Sequence, residues 1–264
     1  MRELRRALSR LAVVAGVVVA ARAGAAPMIE VSITAPDSGN PYDVYETGQV
    51  ATTPNSNPDG TPDGTFGLSS VGYGPSFNCN WSITVNPDPQ ITSTFTLKNL
   101  SAVTQTFIMN VTLPIGSLGP TTVQNGYLGD PVIGTQYTDT SGDGDVTLWT
   151  VPGIPFYQAL VNGAVSQGLG SFDPSAGPVP PFPGGLNANG GAGVFGNLLP
   201  QQLWGPLTFG TASGNIRIHW QFSLTAGDTV STKGFFQVEQ VPEPATIALI
   251  GLGLAALVAA RKRA

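Results

Sequence analysis

The 264-residue chain has one cysteine, Cys79, and one histidine, His219. A lone thiol excludes any intrachain disulfide, and it leaves the redox compartment open. A small buried hydrophobe in a strand is the expected role for Cys79. One imidazole excludes a metal centre built on several histidines. A Ser-His-Asp triad would have to recruit His219, and the chain has no Gly-x-Ser-x-Gly elbow. Alternation places His219 on the polar face of a strand, between Arg217 and Gln221, where it is expected to be exposed.

Charge is scarce as well, at 10% of residues, and cations are nearly missing from the middle of the chain. Between residues 26 and 241 only Lys98, Arg217 and Lys233 oppose fourteen carboxylates, a net charge of −11. Such a body cannot neutralise a phosphate backbone, so no nucleic-acid partner is expected.

Glycine (34) and proline (23) are abundant and together make up about a fifth of the chain. Both are poor helix formers, which points to short strands joined by turns. Several stretches alternate with period two. Phe77, Cys79, Trp81, Ile83 and Val85 share one face, against Asn78, Asn80, Ser82 and Thr84 on the other. Ile91, Phe95 and Leu97 alternate with Thr92, Thr94, Thr96 and Lys98, and Val103, Phe107, Met109, Val111 and Leu113 with Thr104, Thr106, Asn110 and Thr112. Ile216, Ile218, Trp220, Phe222 and Leu224 oppose Arg217, His219, Gln221 and Ser223, and Val230, Phe236 and Val238 belong to one more strand. Residues 28–34, 42–50 and 146–151 are further strand candidates.

These are half-buried antiparallel strands. Short links favour pairing of neighbours as a meander, and two sheets are needed to bury all the apolar faces. The expected fold is all-β, an antiparallel β-sandwich over residues 26–240. Residues 52–64 are turn-rich. Residues 174–193 hold five prolines and six glycines and are expected to form a loop without regular elements. Residues 156–165 are expected to be helical.

The two ends look like addresses. Residues 1–25 combine a basic start, an apolar stretch from Leu11 to Ala21 and small residues, the layout of a secretory signal peptide cleaved after an A-x-A-like site. At the other end Pro242-Glu243-Pro244 precedes an uncharged run over residues 245–260, then Arg261, Lys262 and Arg263. As a single transmembrane helix that run is about 24 Å long, against about 30 Å of hydrocarbon. Snorkelling and local thinning cover such a mismatch. The terminal cations orient this end to the cytosol and the body outward.

The triplet, the single helix and the basic terminus, in that order over residues 241–264, resemble the PEP-CTERM sorting signal. The resemblance implies an exported protein of a Gram-negative-type bacterium, held transiently in the inner membrane as a precursor. An exosortase then processes it near Pro242, Glu243 and Pro244 and releases it to the cell surface or matrix. It also implies association with exopolysaccharide and biofilm. A simple C-terminal membrane anchor is the alternative.

The body carries little chemistry. Asp139, Ser141, Asp143 and Asp145, with Gly144, repeat the start of an EF-hand calcium loop, but Thr150 occupies the position where that loop has a bidentate Glu. Calcium binding and a solvated hairpin turn are both open there, and no other cofactor is expected. Asn80, Asn99 and Asn110 head Asn-x-Ser/Thr triplets that read as chance matches. Trp149, Trp204 and Trp220 with Tyr127, Tyr137 and Tyr157 could form a sugar-stacking platform, though core packing is the default for aromatics. No enzyme is expected. A surface or matrix protein among extracellular polysaccharide, and a calcium-assisted carbohydrate-binding module, are the two functions consistent with the sequence.

Overall fold

The structure, a computed structural model, describes residues 29–50, 53–56, 62–86, 89–119, 121–132, 134–138, 140–141, 145–150, 154–169, 186–189 and 202–241. They lie in one compact unit, Ala26–Gln240, apart from Val241. In chain order the strands are β1 (Ile29–Thr34), β2 (Val44–Val50), β3 (Thr53–Ser56), β4 (Pro62–Gly74), β5 (Phe77–Asn86), β6 (Gln90–Asn99), β7 (Gln105–Ile115) and β8 (Thr122–Leu128). They continue as β9 (Gln136–Thr138), β10 (Asp145–Trp149), β11 (Tyr157–Val161), β12 (Ala164–Leu169), β13 (Leu186–Asn189), β14 (Gln202–Phe209), β15 (Gly214–Leu224) and β16 (Thr229–Gln240). A 3-10 turn, Pro36–Ser38, is the only helix among the described residues, so none of them forms a helix able to cross a membrane.

Two antiparallel sheets result. The first runs β12-β11-β15-β7-β1-β2, with β10 on β15 and β13 on β10; the second runs β14-β8-β16-β6-β5-β4-β3, with β9 on β16. The meander expected from short links holds for β3 to β6. It also holds for β1–β2 and β11–β12, whereas other pairings are long-range: β7 lies between β1 and β15, and β16 between β6 and β8. The chain after Asn99 leaves the second sheet for the first, so β7 and β8 find their neighbours far away in sequence.

Period-two alternation explains which sheet face is inside. The inward rows are Phe77 to Val85 on β5, Phe107 to Leu113 on β7 and Ile216 to Leu224 on β15, with Cys79 in the first of them. Burial pushes the Cys79 thiol up to about 12, which makes it inert. The rings of Phe95 and Trp220 meet edge-on at 5.3 Å, and Phe222 packs against Phe95, Phe107 and Phe156 at 5.1–6.0 Å. Each such side chain contributes about 2–3 kcal/mol by its burial. Gly234 makes room for this cluster: a Cβ there would lie 2.6 Å from Trp220 Cζ2.

Four local expectations change. Residues 156–165 are not a helix. They form the β11–β12 hairpin, because Asn162 (φ 53°) and Gly163 (φ 76°) supply the two left-handed positions of a two-residue turn. Within 174–193, Leu186–Asn189 is a strand paired with Asp145–Leu148, and the rest lies outside the described residues. Within 52–64, Thr53–Ser56 and the start of β4 pair as strands, where a turn-rich stretch was expected. Val103 lies in a loop and is exposed, outside the alternating row of β7.

Candidate functional site

The sheets have two ends. β16 runs from Thr229, beside Asp228, to Gln240, and β1 begins at Ile29 near the Gln240 end. At the Asp228 end the loops are joined through buried polar side chains. Asp43 accepts the Ser76 N–H at Oδ1 (2.7 Å) and the Ser76 hydroxyl at Oδ2 (2.6 Å). Leu100 N–H donates to Ser76 O (2.8 Å), and Asn99 N–H to Asp228 O (2.8 Å). The Asn99 amide donates to the carbonyls of Val103, Leu224 and Thr225 at 2.9–3.0 Å and accepts from Ser101. Asp228 in turn accepts the N–H groups of Thr140 (3.2 Å) and Ser141 (3.3 Å) and the Thr225 hydroxyl.

Burial raises the Asp43 carboxyl's pKa, but hydrogen bonds from Ser38 and Ser76 outweigh it, so the carboxyl titrates below its ordinary range. A buried carboxylate with this many donors is satisfied rather than reactive. Beside it the β1–β2 connection forms an open cleft of about 370 Å³, lined by Thr34, Ala35, Asn40, Asp43 and Val44 among others. Tyr42 and Tyr73 are the most exposed aromatic side chains described, at 79% and 71%.

The structure brings some of the sequence candidates together and not others. His219 is half-buried, where an exposed strand histidine was expected, and its Nδ1 lies 2.8 Å from Asn110 Oδ1. Desolvation lowers its pKa and Arg217 adds to that, against a hydrogen bond with Gln221. Its Asn110 partner donates onward to Ser32, so this is a cross-strand polar row. The aromatic platform is not formed: Tyr137, Tyr157, Trp204 and Trp220 are buried, and Tyr127 stacks on Phe235 at 5.0 Å. The Trp149 side chain lies outside what is described.

Of the calcium-loop residues, Ser141 is exposed with its N–H on Asp228. Asp139, Asp143 and the Asp145 side chain lie outside the described residues. Among the described residues no group of three His, Cys, Asp or Glu is placed to hold a metal. Asn99 of the Asn-Leu-Ser triplet is fully buried, which closes it to a glycan.

The residues of the sorting signal, Pro242, Glu243, Pro244, Arg261, Lys262 and Arg263, the run 245–260 and residues 1–25 also lie outside the described residues. For the signal the deciding observation is a family-model match, the PEP-CTERM protein-sorting motif, over residues 240–263. The chain carries a PEP-CTERM sorting motif. The PEP-CTERM motif implies an exported, membrane-anchored precursor that exosortase processes for the cell surface.

No curated protein matches the chain. Among solved structures the chain is similar to the VP2 subviral particle of infectious bursal disease virus, at 12% identity and a TM-score of 0.09, over 83% of this chain and 63% of that one. It is also similar to the Gx strain of the same virus, at 12% identity and a TM-score of 0.11, over 87% of this chain. The chain spans 63% of each of those chains, and neither likeness carries an argument.

Proposed function

We propose that this is a non-enzymatic surface or extracellular-matrix protein that works among the exopolysaccharide of a Gram-negative-type bacterium, without a resident cofactor. The observation that carries the proposal is the PEP-CTERM motif at residues 240–263, next to an all-β body of net charge −11. In this proposal residues 1–25 are a leader removed on export. Residues 245–260 hold the precursor in the inner membrane until exosortase acts, and the body is then released among polysaccharide and biofilm matrix. The one imidazole supports a role other than catalysis, since His219 is half-buried in a polar row with Asn110.

The test is the intact mass of the mature protein, from normal cells and from cells lacking exosortase. Normal cells should yield a product without Arg261, Lys262 and Arg263. Cells without exosortase should retain those residues and keep the protein with the inner membrane. A mature surface protein ending in intact Arg261–Arg263 defeats the processing step. Failure of the full mature protein to co-sediment with the producing strain's own exopolysaccharide defeats the matrix role.

A calcium-assisted carbohydrate-binding module is the second proposal. It is favoured by the way Asp228 fixes Thr140 and Ser141, which starts the 139–145 loop from a held position. Calorimetric titration decides it: absence of heat with millimolar Ca²⁺ removes the metal.

A further inference from the structure

We infer that the outer face of the second sheet is a docking track for an acidic polysaccharide, a chain that carries uronate carboxylates; this rests on the matrix role proposed above and names its ligand class and site. Between residues 26 and 241 the chain has three cations, and two of them share this face. On β6 the row Phe95, Leu97 and Asn99 is buried, so Lys98 points outward with Thr94 and Thr96. Lys98 pairs with Asn78 on β5 and with Thr229 on β16. Lys233 points outward on β16, between the buried Thr232 and Gly234, and pairs with Thr94. The two lysines stand one strand apart and four residues along, about 14 Å between Cα atoms. Among the described residues neither makes an ion pair. The third cation, Arg217, is on the other sheet and donates to Thr112 Oγ1 at 3.1 Å.

Aromatic rings flank the lysines along a diagonal. Tyr73 on β4 pairs with Asn78, in the cross-strand row of Lys98, and is 71% exposed. It points outward because Gly72 and Gly74 face in: a Cβ on the first would meet Ile33 and Tyr45, and one on the second Phe77 and Asp43. At the other end Phe235 follows Lys233 on the same face of β16. It stacks on Tyr127 of β8 at 5.0 Å, with the ring planes 11° apart. From Tyr73 to Tyr127 the track crosses five strands and six residue steps, about 28 Å, which spans several sugar rings. Between the aromatic ends the side chains of Asn78, Asn80 and Thr94 are exposed and make no hydrogen bond within the described residues. The strands beneath are paired along their length, so little order is lost on binding.

Charge selects the ligand class. Across the outward positions of β5, β6 and β16 the one carboxylate is Glu239, at the far end of β16, where it accepts from Gln237. The other thirteen carboxylates of the body lie elsewhere in the chain, and at 0.15 M salt a charge more than about 8 Å away is largely screened. A neutral chain leaves both ammonium groups unanswered. Uronates spaced along one chain meet both: each exposed pair is weak alone, and the second forms within a complex already made. Apolar ring faces stack on Tyr73 and on the Tyr127–Phe235 pair, and hydroxyls reach Asn78, Asn80 and Thr94. Two lysines release too few counter-ions to hold a phosphate backbone in place of a sugar chain.

The experiment is affinity electrophoresis of the mature protein in gels containing polygalacturonate, a neutral β-glucan or double-stranded DNA, each measured against a gel without polymer. Wild type is compared with Lys98→Ala, Lys233→Ala, Lys98→Glu/Lys233→Glu, Tyr73→Ala and Arg217→Gln, with thermal unfolding as a check on fold. The expected result is retardation by polygalacturonate that falls about threefold with each alanine change. It should vanish in the double glutamate variant and in 0.5 M salt, and persist in Arg217→Gln. Full retardation of the double glutamate variant overturns this track and leaves the matrix role standing. So does a loss in Arg217→Gln as large as that in Lys98→Ala, which would report net charge alone. Full retardation of Tyr73→Ala overturns the diagonal course. Equal retardation by the β-glucan or by DNA overturns the ligand class, and a lysine-dependent dimer in sedimentation overturns the choice of occupant. No retardation in any gel overturns the track, and the matrix role too if the strain's own exopolysaccharide also fails to co-sediment.

Discussion

The two ends of the β-sandwich are closed by different means. At the Asp228 end, Asp43, Asn99 and Asp228 are buried and bond to groups from other loops, up to 126 residues away in sequence. At the Gln240 end the closures are mostly backbone ones: Leu118 N–H to Ala212 O at 2.8 Å, Asn162 N–H to Asn215 O at 3.0 Å and Val238 N–H to Pro89 O at 2.8 Å. Positive φ values at Asn162, Gly163 and Gly214 complete the turns there. Side-chain wiring fixes loops of irregular shape, which is what a binding surface needs. Backbone turns close strands and little else. The exposed tyrosines and the cleft belong to the wired end.

Removal of one wiring side chain gives the sharpest contrast. Asn99→Ala takes a buried donor from Leu224 O and the acceptor from the Ser101 N–H, while Val103 O keeps the Ser101 hydroxyl and Thr225 O the Asp228 N–H. A loss of about 3 kcal/mol in urea unfolding is expected, since each buried group left unpaired costs about 1–3 kcal/mol. Amide exchange at Ser101, Thr140 and Ser141 should quicken before that at Leu118. Uniform quickening at both ends would mean that the wiring is not local.

At the other end the matching change is Gly163→Ala. Nothing lies within 4 Å of a Cβ built there, so the cost is that of φ +76° alone. About 1 kcal/mol is expected, in the same urea assay. A cost equal to that of Asn99→Ala would erase the distinction between the ends.

The strand faces were legible in the sequence, and the ends were not. Alternation placed Cys79, Trp81, Phe107 and Trp220 inside, because a period of two follows from the pleat whatever the neighbours are. The Asn162-Gly163 pair was a legible hairpin signal too, but the apolar residues of 156–165 also fit a helix. The bond from Asp43 to Ser76 spans 33 residues, and no local pattern announces it. The aromatics Tyr137, Tyr157, Trp204 and Trp220 are buried, and which of two apolar faces a loop or strand covers is likewise set by distant partners. The sorting motif is the opposite case: its triplet, apolar run and basic terminus are consecutive, and recognition needs no fold.

Acid gives the smallest and most local test of the contrast. The folded-state pKa of Asp43 lies below its ordinary 3.8, because donors from Ser38 and Ser76 overcome the cost of burial. The unfolded chain therefore binds the proton more readily, and stability rises with pH across the window between the two values. The contribution of Asp43 is whole above about 3.8 and disappears as pH falls through the folded value. The Ser76 N–H, which donates to Asp43 Oδ1, should lose exchange protection in that window, while the Leu118 N–H on Ala212 O keeps its own. Asp43→Asn should flatten the local pH dependence at Ser76. If Ser76 and Leu118 respond to acid together in both proteins, the Asp228 end is not closed by its carboxylates.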